Sequence, residues 1–250
     1  MTHILKDKIA LVTGSSRGIG AAIAKLFAGQ GARVVVHGRE AAALEAVRAD
    51  IQHAGSQAIA VRADLTRPEE IEAARRTIEE QLGPVEILVA NAGGSALPPG
   101  PLEEIDESGW RAVVDGNLTA TFLTLKSFLP GMKQRRAGNI LTMSSAAARR
   151  PHPQSPIPYA AAKAAIQMLT QHLAAQLGPL GIRVNCLAPE TILTEGNRRR
   201  IPESLQGQLA AAHPLQRLGT TEDVAQAALF LASERSAWIT GQILDISGGA

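Results

Sequence analysis

The sequence predicts an α/β protein with a doubly wound, seven-stranded parallel sheet and helices on both faces. Three observations carry this. Short runs rich in β-branched residues alternate with Ala-rich amphipathic stretches along the chain, the rhythm of a parallel sheet joined by crossover helices. Each run is of strand length and almost continuously apolar, as strands covered on both faces are. A glycine-rich turn, Thr13–Gly20, links the first run to the first helical stretch.

The strands are expected in KIALVT, ending at Thr13, in RVVVH (Arg33–His37) and in QAIAVR (Gln57–Arg62). VEILVAN (Val85–Asn91), NILTMSS (Asn139–Ser145), IRVNCLA (Ile182–Ala188) and QILDIS (Gln242–Ser247) complete the set. Between them, GIGAAIAKLFAGQG reads as a helix closed by Gly31. RPEEIEAARRTIEEQLG opens with Pro68 and acidic residues, which suit a helix N-terminus. TEDVAQAALFLASE opens on a threonine and two acids. Two long helices are expected near Ile105–Arg136 and Tyr159–Leu177, and two proline-rich loops, Leu97–Pro101 and Pro151–Pro158, at strand ends. No linker or internal repeat divides the chain, so 1–250 reads as one catalytic domain. Within it the polar, basic segment 190–215 interrupts the alternation and reads as a substrate lid.

Composition narrows the function. Apolar residues make up 45% and charged residues 19%, which excludes disorder and a membrane-spanning chain. A net charge of +2 with 3% aromatics gives nucleic acid little to bind. One cysteine, Cys186, forms no internal disulfide and fits a reducing cytoplasm, and the N-terminus shows no signal-peptide pattern. Six scattered histidines lack metal-ligand spacing, so no metal is expected.

In TGSSRGIG, Gly14, Gly18 and Gly20 permit a tight turn and close approach of backbone to a ligand. The following helix directs free N–H groups at an anion such as a pyrophosphate, so Gly14, Ser16, Arg17, Gly18, Ile19 and Gly20 are candidate dinucleotide contacts. This is the Rossmann-like arrangement. The loop, NAG at Asn91–Gly93, Ser145, Tyr159 with Lys163, and the ending PLQRLGTTEDVAQAALFLASERSAWITGQILDISGG together resemble the classical short-chain dehydrogenase/reductase family over nearly the whole chain. Within that family the chain is most similar to 3-oxoacyl-acyl-carrier-protein reductases.

A Rossmann site that prefers NAD usually offers an acid to the ribose 2′-hydroxyl. Here His37, Gly38 and Arg39 stand in that place, and Arg17 lies in the loop. Two guanidiniums suit a 2′-phosphate, each charge-assisted bond being worth roughly 1.5–3 kcal/mol. NADP(H) is therefore expected over NAD(H). The resemblance further implies that Asp64, with Leu65, meets the adenine; the competing role for Asp64 is to cap the next helix. It implies that Asn91, Ala92 and Gly93 line the adenosine ribose, and that Pro189 and Thr194 approach the nicotinamide.

Tyr159 and Lys163 stand four apart, on one face of a helix. For a phenol to act as a base near neutrality its pKa must fall from about 10, which takes roughly 3–4 kcal/mol of phenolate stabilisation. The Lys163 ammonium is expected to supply part of it. The resemblance implies four catalytic residues: Tyr159 as acid/base, Lys163 tuning it and holding the nicotinamide ribose, Ser145 orienting the carbonyl, and Asn117 holding a relay water. Ser144 is the alternative to Ser145, and a buried Asn bonded to backbone at a local distortion is the structural reading of Asn117, which sits beside Gly116 in a helical stretch.

Glu190 replaces a glycine frequent in the family and reads either as a charge at the substrate mouth or as a solvent-facing loop residue. Arg198–Arg200 read as a solvated basic face or a greeting for an anion, Cys186 as a buried hydrophobe, and His152 and His213 as non-catalytic. MKQRRAG after the long helix suits an acidic acyl carrier protein, whereas Leu180 stands where the carrier-specific members often have a basic residue. The substrate is thus a small carbonyl or alcohol, with 3-oxoacyl thioesters first and sugars, polyols, steroids or small ketones as alternatives. A nicotinamide-sensing binding protein without turnover is the competing class, and family members are commonly homotetramers.

Overall fold

The computed structural model describes residues 3–95, 97–151 and 155–250. Its strands are β1 (Ile9–Val12), β2 (Arg33–Gly38), β3 (Ala58–Arg62), β4 (Ile87–Ala90), β5 (Gly138–Met143), β6 (Ile182–Pro189) and β7 (Ile243–Ile246). They form one sheet in the order β3-β2-β1-β4-β5-β6-β7, every pair parallel. All seven expected strands are present, with ends shifted by a residue or two. Helices α1 (Gly18–Gly29), α2 (Ala41–His53) and α9 (Thr221–Ala232) cover one face, and α3 (Pro68–Gln81), α5 (Ala120–Arg135) and α6 (Ile157–Leu177) the other.

Strand alternation explains the two layers. Val12, Val34, Val36, Leu141 and Leu187 point into the cluster that holds Ile23 and Phe27 of α1, Leu44 of α2 and Val224 of α9. Leu11, Val35, Leu88, Ile140 and Val184 point the other way, against Ile78 of α3, Phe128 and Met132 of α5 and Leu177 of α6. Burial on both sides is why the strand sequences read as unbroken apolar runs.

Several boundaries differ from expectation for local reasons. Helix α9 is capped by Thr220: its hydroxyl accepts the Asp223 N–H at 3.2 Å and the Asp223 carboxylate accepts the Thr220 N–H at 2.7 Å. Strand β5 stops at Met143, and Ser145 instead caps a short turn over Ala146–Ala148. Pro158 lies in the first turn of α6, where its missing N–H costs nothing, so the preceding loop is shorter than the sequence suggests. His152 and the centre of that loop lie outside the described residues. Between α4 (Glu107–Val114) and α5, residues Asp115–Thr119 form a π-helical turn, the distortion foreshadowed by Gly116 and Asn117. The segment after β6 holds α7 (Glu195–Arg200) and α8 (Glu203–Ala211). Among the described residues no helix is long and apolar enough to cross a membrane.

Candidate active site

The strand order reverses at β1, which pairs with both β2 and β4, so a crevice opens beyond the C-terminal ends of these strands. The glycine loop runs along it. Thr13 ties the loop to β4: its hydroxyl donates to the Val89 carbonyl and accepts the N–H groups of Asn91 and Ala92, both at 3.0 Å. The Asn91 amide donates to the carbonyls of Thr13 (2.9 Å) and Gly14 (3.2 Å). The Asn91 side chain is therefore occupied in fixing the loop. At Gly20 any Cβ would come within 2.6 Å of the Asn91 amide, so no other residue fits. Arg17, at the N-cap of α1, makes no side-chain cap, and the first turn carries no acid. The positive helix end is left uncapped by its own chain, and this donor set fits a pyrophosphate. Ser16 lies against Gly38 at the end of β2, while Ile19 packs partly on the core.

His37 turns inward. It is 4% exposed, and its Nδ1 accepts the Gly14 N–H at 3.4 Å beneath the loop. Ser15 stitches the same corner, its hydroxyl accepting the His37 N–H at 2.9 Å and donating to the Val12 carbonyl at 2.7 Å. Burial pushes the imidazole pKa down to about 4, opposed in part by the Ala63 backbone and the Asp64 charge. The folded state thus binds this proton less readily than the unfolded chain. Stability is full above about pH 6.5 and falls by about 3 kcal/mol as pH drops to about 4. Urea denaturation of wild type and His37→Asn across that window checks this: the variant lacks the His37 share of the loss.

Arg39, not His37, faces solvent at the end of β2, as does Arg17. Asp64 caps no helix: Arg67 is the N-cap of α3, and the Asp64 carboxylate closes a local turn on the Thr66 N–H (2.9 Å) and hydroxyl (2.8 Å). Those two bonds hold its pKa below the usual value against a small burial effect, with Arg39 adding attraction from the neighbouring strand end. Leu65 is buried with Ile71 and Ala120, so its side chain belongs to the core.

Tyr159 and Lys163 come from the first turns of α6, beside the end of β5. Lys163 is 3% exposed, donates to the Met143 carbonyl at 2.8 Å, and sits 5.5 Å from the centroid of the Tyr159 ring. Burial pushes its ammonium down to about 8, with Cys186 opposing. Lys163 is not among the influences on the Tyr159 phenol. Burial raises the phenol above its ordinary value, and the opposing influence is the hydrogen bond with Ser145.

The two serines part company. Ser144 is 2% exposed, donating to the Lys163 carbonyl at 2.8 Å and accepting from Gln167 at 3.0 Å. Among the described residues Ser145 makes only long hydrogen bonds, to the Pro189 carbonyl at 3.4 Å and from the Ala147 N–H at 3.3 Å, and its hydroxyl lies near enough to Tyr159 to ease the phenol's pKa downward. Ser145 thus keeps a hydroxyl beside the phenol, whereas Ser144 is consumed in joining β5 to α6.

Asn117 hangs from the π-helical turn, 1% exposed. Its amide donates to the Gly94 and Val113 carbonyls at 2.9 and 2.8 Å and accepts the Gly94 N–H at 3.0 Å. The side chain is spent on backbone, and the Asn117 carbonyl accepts the Ala120 N–H in the π-helical turn. Gly93 lies where Asn117 and Lys163 converge: a Cβ there would sit 2.5 Å from Asn117 Oδ1 and 3.4 Å from Lys163 Nζ.

Thr194 caps α7, accepting the Asn197 N–H at 3.1 Å, and its methyl reaches the glycine loop, 3.5 Å from where a Cβ on Gly18 would be. Pro189 is buried at the end of β6. Glu190 is not solvent-facing. Its side chain is 8% exposed and bonds His213 at 2.7 Å. Burial raises its pKa, but the Thr191 N–H and His213 more than offset that and hold it below the usual range. Arg198–Arg200 close the exposed α7, with Arg199 paired to Glu195. Cys186 is fully buried. Sequence reasoning missed the roles of Thr13, Ser15 and Gln167; a hydroxyl at each end of the β1 turn was the available signal for the first two.

The chain resembles known proteins along its length. The family model described as enoyl-(acyl carrier protein) reductase matches residues 14–250. A 7alpha-hydroxysteroid dehydrogenase of Escherichia coli K12 is 38% identical over 98% of this chain and 94% of that protein. A 3-oxoacyl-acyl-carrier-protein reductase of Chlamydia muridarum is 36% identical over 100% of this chain and 99% of its own length. The crystal structure of a 3-oxoacyl-acyl-carrier-protein reductase with bound NAD from Brucella melitensis superposes with a TM-score of 0.91, at 35% identity over 99% of this chain and 92% of that one.

Proposed function

The chain belongs to the short-chain dehydrogenase/reductase family and is a nicotinamide-dependent oxidoreductase, and we propose that it interconverts a carbonyl and a secondary alcohol, working with NADP(H). The observation that carries this reading is the convergence of Ser145, Tyr159 and Lys163 at the same, C-terminal, end of the parallel strands as the uncapped glycine-loop helix.

When bound, the nicotinamide supplies or accepts the hydride at its C4. The rest is the work of the chain. Tyr159 gives the phenolic proton to the carbonyl oxygen as charge grows on it, and takes it back in oxidation. A phenol held protonated suits the reducing direction, since the acid is in place at neutral pH. Ser145 donates a hydrogen bond to the same oxygen. Lys163 holds positive charge beneath the ring and, with the Asn117 main chain, provides the route by which the phenol is reprotonated. Gly14, Gly18, Ile19 and Gly20 hold the pyrophosphate, Arg17 and Arg39 the 2′-phosphate, and Asp64, Ala92, Gly93, Pro189 and Thr194 the rest of the dinucleotide, partly through backbone.

Within this class we favour 3-oxoacyl thioesters. Lys133, Arg135 and Arg136 form an exposed basic end to α5 that suits an acidic carrier protein, and a relative of matching length carries that activity in its name. A steroid is the second reading, on the equally extensive likeness to a hydroxysteroid dehydrogenase. We read the protein as a cytoplasmic homotetramer, in which Phe122 of α5 and Met168 of α6, 47% and 56% exposed, are covered by neighbours.

The test is NADPH oxidation against 3-oxoacyl thioesters, oxosteroids, sugars and small ketones. Turnover of the thioesters with kcat/KM at least about tenfold above the other classes is the expected result. Tight NADPH binding with no turnover of any carbonyl sinks the enzymatic reading in favour of a nicotinamide sensor.

A further inference from the structure

The lid has no interior of its own. Neither α7 nor α8 buries a residue, so the segment is held at its ends. At the first, the Leu193 N–H donates to the Gly219 carbonyl at 2.8 Å, the Gly219 N–H to the Thr191 carbonyl at 3.1 Å, and Ile192 is 2% exposed. At the second stands His213. Its Nδ1 lies 2.7 Å from the Leu209 carbonyl in the last turn of α8, and its Nε2 2.7 Å from the carboxylate of Glu190. The two side chains are 6% and 8% exposed. A carbonyl only accepts, so Nδ1 carries a proton; on the other side imidazole and carboxyl share one hydrogen bond, whichever holds the second proton. Glu190 is itself fixed, its N–H donating to the Ile246 carbonyl of β7 at 3.0 Å and its carboxylate accepting the Thr191 N–H. A side chain rooted where β6 leaves the sheet thus grips the residue that closes α8.

We propose that Glu190 and His213 are a positioning pair that sets the lid over the dinucleotide and substrate. This rests on the assignment of that site to the crevice beyond β1 and β4. Two connections carry position from the pair to the chemistry. Pro189, the residue before Glu190, accepts the Ser145 hydroxyl, and Thr194, at the start of the lid, lies on the glycine loop at Gly18. The residues sit 23 apart in sequence and touch no reacting atom, so their effect comes through lid placement.

Hydrogen exchange of the full-length protein tests this, together with steady-state kinetics. His213→Leu is expected to speed exchange across 195–211 by at least about 10-fold while β1–β6 stay protected. It raises KM for the carbonyl substrate by about 10-fold and changes kcat by less than about 3-fold. His213→Gln keeps a donor toward Glu190 and recovers most of both effects. If His213→Leu fails to fold, the double variant Glu190→Gln with His213→Leu, which leaves no carboxylate behind, gives the same reading; where both fold, the double is no worse than the single because they share one interaction. Lid exchange equal to wild type overturns the proposal, as does a fall in kcat with KM unmoved. Exchange needs no substrate, so a protein that turns over no carbonyl fails the oxidoreductase reading while the pair is judged separately.

Discussion

Tyr159→Phe is expected to lower kcat for carbonyl reduction by about 10²–10⁴-fold while leaving NADPH affinity within about twofold. The substitution keeps the ring, its place in the first turn of α6 and the stacking of the Lys163 ammonium against it. What it removes is the hydroxyl that bonds Ser145. Among the described residues no other proton donor of suitable strength stands there: Ser145 is a poor acid, and the Lys163 ammonium is turned to the Met143 carbonyl. Stopped-flow transfer from NADPH, with binding measured separately by fluorescence titration, separates chemistry from affinity. A phenylalanine variant as fast as wild type would remove Tyr159 from the mechanism. Because burial holds the phenol above its ordinary pKa, the acid stays protonated through neutral pH. Lys163, at about 8, is the first of the two to lose its proton as pH rises, so the alkaline limb of the kcat profile is expected to follow it.

The fold was legible because its signals are local. Seven apolar runs, a glycine turn and helix-starting residues such as Pro68 are each read within one window, and each marks an element of the structure. The distortion around Asn117 was legible for the same reason, since an asparagine beside a glycine weakens a helix where it stands. What escaped are pairings between distant segments. Glu190 reads as exposed until His213 is folded against it. The capping alternative for Asp64 falls only when Thr66 is seen to take its carboxylate first. Tyr159 and Lys163 were correctly put on one helix face, but adjacency in sequence did not reveal that a β5 carbonyl claims the ammonium and that burial works against the phenolate. Distance along a helix fixes which groups are neighbours; the solvent they lose on folding fixes their acidity.

The same contrast bears on cofactor choice. Arg39→Asp is expected to move the ratio of kcat/KM for NADPH to that for NADH by at least about 100-fold toward NADH. Arg39 is exposed at the end of β2, the place from which a Rossmann site addresses the ribose, and lies near enough to Asp64 to draw its pKa down. On the proposed reading, removing the guanidinium forfeits a charge-assisted bond to a 2′-phosphate, worth roughly 1.5–3 kcal/mol, or about 10- to 150-fold. The new carboxylate adds repulsion against the phosphate and offers the unphosphorylated ribose an acceptor, so both limbs move the ratio in one direction. His37 cannot supply that selectivity: it is buried under Gly14 and neutral near physiological pH. Arg17→Ala leaves Arg39 in place and so moves the ratio less than Arg39→Asp does. The bound NAD in the Brucella melitensis structure describes that protein; on the proposed reading, selectivity here depends on side chains at the ends of β2 and the glycine loop, which a shared fold leaves free to vary. Kinetics with both cofactors at matched carbonyl concentration decide the matter. A ratio unchanged in Arg39→Asp would mean that the guanidinium is merely solvated and that preference, if any, arises elsewhere.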